Sequence, residues 1–153
     1  MSKISMVLSV AILCLCGCAE MPAYSNLGSV DVLDESRYTV LETESYIEQA
    51  QRSYISFQAK LNIIRVDGKK VGDIPFSTYF YKNNSPQQAM LQPGGHSVQL
   101  KYVLPRHFMY ADFEFEGKAG QKVMARTKYI GLNRIDIWLE DAATGELVGK
   151  RIR

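Results

Sequence analysis

The residues of this chain whose types and spacing come closest to chemistry are two histidines, three cysteines and one alternating run of carboxylates. His96 follows Pro93-Gly94-Gly95, where its ring is expected to order a turn by hydrogen bonding to backbone. His107 sits in the loop sequence Pro105-Arg106-His107. A zinc site needs three or four convergent ligands, and no H-x-x-x-H or C-x-x-C spacing occurs after Cys18. A serine or cysteine nucleophile needs a positioned base, and nothing of the G-x-S-x-G kind is present. Asp112, Glu114 and Glu116 could serve as paired carboxylates. Their alternation with Phe113 and Phe115 instead marks the solvated face of a strand. No catalytic residue, metal site or cofactor is therefore expected, and the chain reads as a non-enzyme.

The cysteines point elsewhere. Cys14, Cys16 and Cys18 fall within five residues, and none follows, so no disulfide can form inside the domain. They close a segment that opens with the charged start Met1-Ser2-Lys3 and runs apolar from Ile4 to Cys16. About 13 apolar residues are too few to cross a bilayer core but suit a signal peptide. A metal clip of the three cysteines would lack the polar surroundings such a site wants. Leu15-Cys16-Gly17-Cys18 resembles the lipobox of bacterial lipoproteins, with Leu at −3, a small residue at −1 and cysteine at +1. Cys16 at −2 departs from the usual Ala, Ser or Thr. The resemblance implies removal of residues 1–17, lipidation of Cys18 by a diacylglyceryl group, and a membrane partner held through that anchor. It also implies a cell-envelope location. Ala19 at +2 implies the outer membrane, facing the periplasm, in a host with two membranes.

Composition sets further bounds. The length of 153 residues is that of one domain, and the formal charge of +2 is no footprint of a nucleic-acid binder. Residues 18–41 show no sustained period and are expected to be a flexible tether, with a domain over 42–153. Tyr46, Ile47, Ala50 and Tyr54 share one helical face, so the spacing predicts a short N-terminal helix near 43–54.

Beyond it, period-two alternation dominates. Phe57, Ala59, Leu61 and Ile63 are apolar in one phase, then Ile64 and Val66 in the other, which predicts a bulge. Further alternating runs cover Val98–Tyr102, Ala111–Phe115, Val123–Tyr129 and Ile135–Leu139, separated by Gly, Pro and Asn turns. The fold class expected is mainly β: an antiparallel β-sandwich of six to eight strands with one short N-terminal helix. Asp67-Gly68-Lys69-Lys70-Val71-Gly72-Asp73-Ile74-Pro75, then Leu91-Gln92-Pro93-Gly94-Gly95-His96-Ser97-Val98, resembles the PEGA family of small bacterial β-domains. That resemblance implies a cell-envelope module without a reaction of its own.

Three aromatics are expected on outward strand faces: Tyr79, Tyr81 and Trp138. Together they would form a binding patch for protein or glycan, unless the N-terminal helix covers them. The functional expectation is a lipid-anchored envelope protein that binds or scaffolds another envelope protein. The second expectation is a small-molecule or glycan binder using the outward aromatics.

Overall fold

The computed structural model describes residues 23–46, 61–72, 85–103, 108–131 and 134–153. Strands hold 62% of the described residues, which places the protein in the mainly β class. In chain order they are β1 (Ala23–Ser25), β2 (Thr39–Thr43), β3 (Leu61–Val66), β4 (Lys69–Lys70), β5 (Gln88–Leu91), β6 (Gly94–Val103), β7 (Phe108–Gly117), β8 (Lys122–Gly131), β9 (Arg134–Asp141) and β10 (Lys150–Arg151). One sheet has the order β1-β5-β2-β8-β9 and the other β10-β7-β6-β3-β4. Ten strands among the described residues exceed the six to eight expected. The surplus lies in β1, β4 and β10, which have three residues or fewer and leave no periodicity to read.

The second sheet is antiparallel throughout, but the first is mixed. β1 runs parallel to β5, and β2 runs parallel to β8. The expectation of wholly antiparallel pairing is corrected here. Parallel neighbours need a long connection but not a helix, and about 80 residues separate β2 from β8.

The stretch expected to be a flexible tether is also corrected for residues 23–41. β1 pairs with β5, and β2 lies at the centre of the first sheet with all five residues buried. Leu41 faces the main core, while Val40 packs with Leu27 and Tyr38 on the opposite face. A strand buried on both faces shows no alternation, which is why period counting passed over it. Its one charged residue, Glu42, is held by Lys122 at 2.8 Å and by the Gln88 side-chain amide at 2.9 Å. The segment between β1 and β2 is pinned by the Tyr38 hydroxyl, which donates to the Val32 carbonyl at 2.7 Å. Glu44–Tyr46 turn helical at the end of β2; the rest of the expected helix lies outside the described residues.

Both sheets contribute to one apolar cluster. Leu41, Leu91, Val123 and Ile137 come from the first, and Ile63, Leu100, Phe113 and Phe115 from the second. The expected bulge is present: Ile63 pairs with Leu100 and Arg65 with Gln99, leaving Ile64 as the extra residue. Ile63 then faces the core while Ile64 is buried beside Gly72. Asp67 and Gly68 both have positive φ (49° and 76°), as a two-residue hairpin turn between β3 and β4 requires.

Candidate functional site

Three clusters of polar side chains bear on function, and each is built by a different pair of elements. The first joins two turns. The β3–β4 turn presents Asp67, and β6 begins just after Gln92-Pro93. His96 on β6 lies between them, with Nδ1 2.9 Å from Asp67 Oδ2 and Nε2 2.6 Å from the Gln92 carbonyl oxygen. The second Asp67 oxygen accepts the Ser97 amide at 2.9 Å, and the ring packs against Phe115 at 5.7 Å. Both ring nitrogens therefore lie against oxygens of the protein itself, and neither is presented to a substrate or metal. His96 braces the turn region as expected from the sequence. The Asp67 contact was not legible there, because the two residues lie 29 positions apart.

This brace forms one wall of an open groove of about 1170 Å³. Asp67, Glu114, Glu116, Asp141 and Glu146 line it, with Lys118 and Lys150 as the cationic side chains and Phe115 and Val148 as apolar floor. Five carboxylates face two lysines. Asp141 ends β9, its carboxyl held below the usual carboxylate range by the Gln121 side-chain amide and then by the Ala143 and Thr144 backbone amides. Glu114 and Glu116 lie on the outward face of β7, as their alternation predicts.

The second cluster lies on the outward face of the first sheet. Trp138 pairs across β8–β9 with Arg126, and its side chain is half-buried beside Asp136 and Glu140. The indole N–H donates to Glu140 Oε2 at 2.8 Å, and Arg126 Nε donates to Glu140 Oε1 at 2.8 Å. These two donors, the indole first, hold the Glu140 carboxyl below its ordinary range. Trp138 thus faces outward as expected, with its polar handle already engaged. Tyr79, Tyr81 and His107 lie outside the described residues, so the expected patch is described at Trp138 alone.

The third cluster was missed by sequence reading. Gln87 donates to Asn62 Oδ1 at 2.7 Å and to the Ser85 carbonyl at 3.0 Å, while Thr43 donates to Gln87 Oε1 at 3.4 Å. Ser45 accepts the Leu61 amide at 3.0 Å. All are buried, and the set ties the end of β2 in one sheet to the start of β3 in the other. Isolated Gln, Asn and Thr in a sequence carry no signal that they will meet. Satisfied buried polar groups of this kind fix register more than they add stability.

Among the described residues no three His, Cys, Asp or Glu side chains are placed to hold a metal ion. Lys101 is a buried cation of a different sort. Its ammonium lies 5.1 Å from the centre of the Phe108 ring, and burial pushes its pKa down. No helix of the described residues is long and apolar enough to cross a membrane. No family model, curated protein or solved structure matches this chain, so its own residues carry the functional argument.

Proposed function

We propose that this protein is a bacterial envelope lipoprotein, anchored through Cys18, whose domain is a non-enzymatic module that binds or scaffolds another envelope protein. The observation that carries the anchor is Leu15-Cys16-Gly17-Cys18 at the close of a short apolar segment with a basic start. Two or more acyl chains hold a protein stably, each buried CH₂ contributing about 0.8 kcal/mol. In a host with two membranes, Ala19 at +2 favours sorting of the anchor to the outer membrane. The two sheets are read as the layers of a β-sandwich enclosing their shared core.

A binding role is supported by what surrounds the polar clusters. His96, Glu42 and Glu140 are each engaged within the protein, while the acidic groove offers a concave polar surface with an apolar floor. A basic segment of a protein partner fits that chemistry. Glycan binding through Tyr79, Tyr81 and Trp138 is the second reading, and the engagement of the Trp138 indole N–H by Glu140 counts against it.

The test is photo-crosslinking in living cells from a reactive residue at Glu116, with Arg126 on the opposite sheet as control. A discrete adduct to one envelope protein from Glu116, lost in Glu114→Lys, is the expected result. Equal or absent adducts at both positions would overturn the groove as the partner surface.

A further inference from the structure

His96 is set between two oxygens that both accept hydrogen bonds. Nδ1 lies 2.9 Å from Asp67 Oδ2, and Nε2 lies 2.6 Å from the Gln92 carbonyl oxygen. A neutral imidazole carries one N–H and one lone pair, whereas the imidazolium carries two N–H donors. Either neutral tautomer therefore turns a lone pair on an acceptor at hydrogen-bond distance. Only the protonated ring donates to both. The His96 side chain is 6% exposed, so water does not replace a contact the protein loses. Moving the proton onto Asp67 would satisfy the same two contacts. That carboxylate, however, is 38% exposed and accepts the Ser97 amide through its other oxygen. A carboxylate is ordinarily a weaker base than imidazole by about two to three pH units, so the proton belongs to the ring.

The two acceptors belong to different parts of the fold. Gln92 follows β5 of the first sheet, where its backbone amide donates to Asn26 Oδ1 and its side-chain amide to the Leu27 carbonyl. Asp67 sits in the β3–β4 turn of the second sheet with φ of 49°, a left-handed conformation that costs a non-glycine residue some strain. Two further bonds close on β6: the Asp67 amide donates to the Ser97 carbonyl at 2.8 Å, and the Ser97 amide to Asp67 Oδ1 at 2.9 Å. His96 thus joins the end of β5 to a turn of the other sheet, and Ser97 reports on the same turn.

Among the described residues, each element packed around the ring brings other charges. On β7, Glu114 and Glu116 flank Phe115, the residue paired with His96, and face the other side of that sheet. Arg65, Lys69 and Lys70 on β3 and β4 are exposed. Lys118 and Lys150, with Asp141 and Glu146, line the groove that the brace borders. Asp67 is the charged group in hydrogen-bond contact with the ring.

We infer that His96 is a proton-dependent latch: its imidazolium ties the β3–β4 turn to the end of β5, and loss of the proton releases the turn. Proton uptake and latch closure favour each other. The latch is therefore closed on the acid side of the ring's titration and lost as pH rises through it. Asp67 lines the acidic groove, so closure fixes one wall of that groove and opening loosens it. The latch rests neither on lipidation of Cys18 nor on a partner in the groove.

The experiment uses the full chain, labelled with nitrogen-15, extracted in detergent and titrated from about pH 5 to pH 9, the range that spans ordinary histidine titration. Ring nitrogens are followed by NMR, with His107→Gln to assign the two histidines. On the acid side both His96 nitrogens are expected to resonate as protonated imidazolium nitrogens. Across the ring's titration, hydrogen exchange at the Ser97 amide, corrected for base catalysis, is expected to rise about tenfold, the worth of a charge-assisted bond. Leu100, deeper in β6, should show no such step, and His96→Gln should abolish the step at Ser97. A single protonated nitrogen at every pH overturns the inference, as does a ring that titrates while Ser97 protection stays constant. A step that survives in His96→Gln assigns it to another group and overturns the latch. A ring that keeps both protons throughout is a fixed brace, and overturns it as well.

Discussion

At the scale of single residues, several charged groups of this domain are held by specific partners, and Glu140 and Lys101 are two whose shifted pKa values make its stability depend on pH. Glu140 is kept below the ordinary carboxylate range by the Trp138 indole and Arg126. A depressed folded pKa contributes stability that is complete above the unfolded value and is lost as pH falls through the folded one. Glu140→Gln is expected to lower stability by about 1–2 kcal/mol at neutral pH, the worth of a charge-assisted pair of hydrogen bonds. Urea denaturation between pH 7 and pH 3 should show a flatter acid limb in the variant, and parallel limbs would contradict the assignment. Lys101 acts at the other extreme. Burial depresses its folded pKa, so the folded state releases its proton before the unfolded chain does, and stability rises with pH between the two values. Lys101→Met should abolish that alkaline gain and stand within about 1 kcal/mol of the parent at neutral pH. A variant retaining the alkaline rise in a denaturation series would show that another group is responsible.

At the scale of elements, Gly149 decides how the C-terminal segment crosses between the sheets. The segment after β9 folds back along it, with Val148 donating to the Leu139 carbonyl, and β10 then joins β7. Gly149 has φ of 74°, and a Cβ there would lie 2.6 Å from that of Phe115. Gly149→Ala is expected to cost about 1–3 kcal/mol and to release β10, read as faster amide exchange at Ile152 with little change in β3. Uniform protection across both strands would contradict this. The long strands of this architecture were legible because each buries one face: alternation located β6 to β9, and the phase slip at Ile63–Ile64 located the bulge. β2 was not legible, since Thr39 to Thr43 are buried on both faces and Glu42 reads as a linker acid until Lys122 and Gln88 are placed beside it. Parallel pairing of β2 with β8 lies outside what local periodicity encodes. In the candidate site, the His96 turn brace and the outward Trp138 were foreseen, but Asp67 and Glu140 as their partners are products of the fold.

At the scale of the whole molecule, the carboxylate-lined groove lies at the end of the domain where β6 begins. Asp67, Glu114, Glu116, Asp141 and Glu146 line it, against Lys118 and Lys150. Anchored as proposed through Cys18, five positions before β1, the domain would stay close to the membrane. Net charge says little about such a molecule, since the +2 total conceals an uneven distribution. All of this depends on the fate of Cys18. Intact-mass spectrometry of the membrane-extracted chain, beside Cys18→Ala, tests it most directly. The account predicts a wild-type chain that begins at residue 18 and carries added acyl mass, and a Cys18→Ala chain that keeps residues 1–17 without it. A wild-type chain of full length, or one cleaved but bearing no acyl group, would contradict the account.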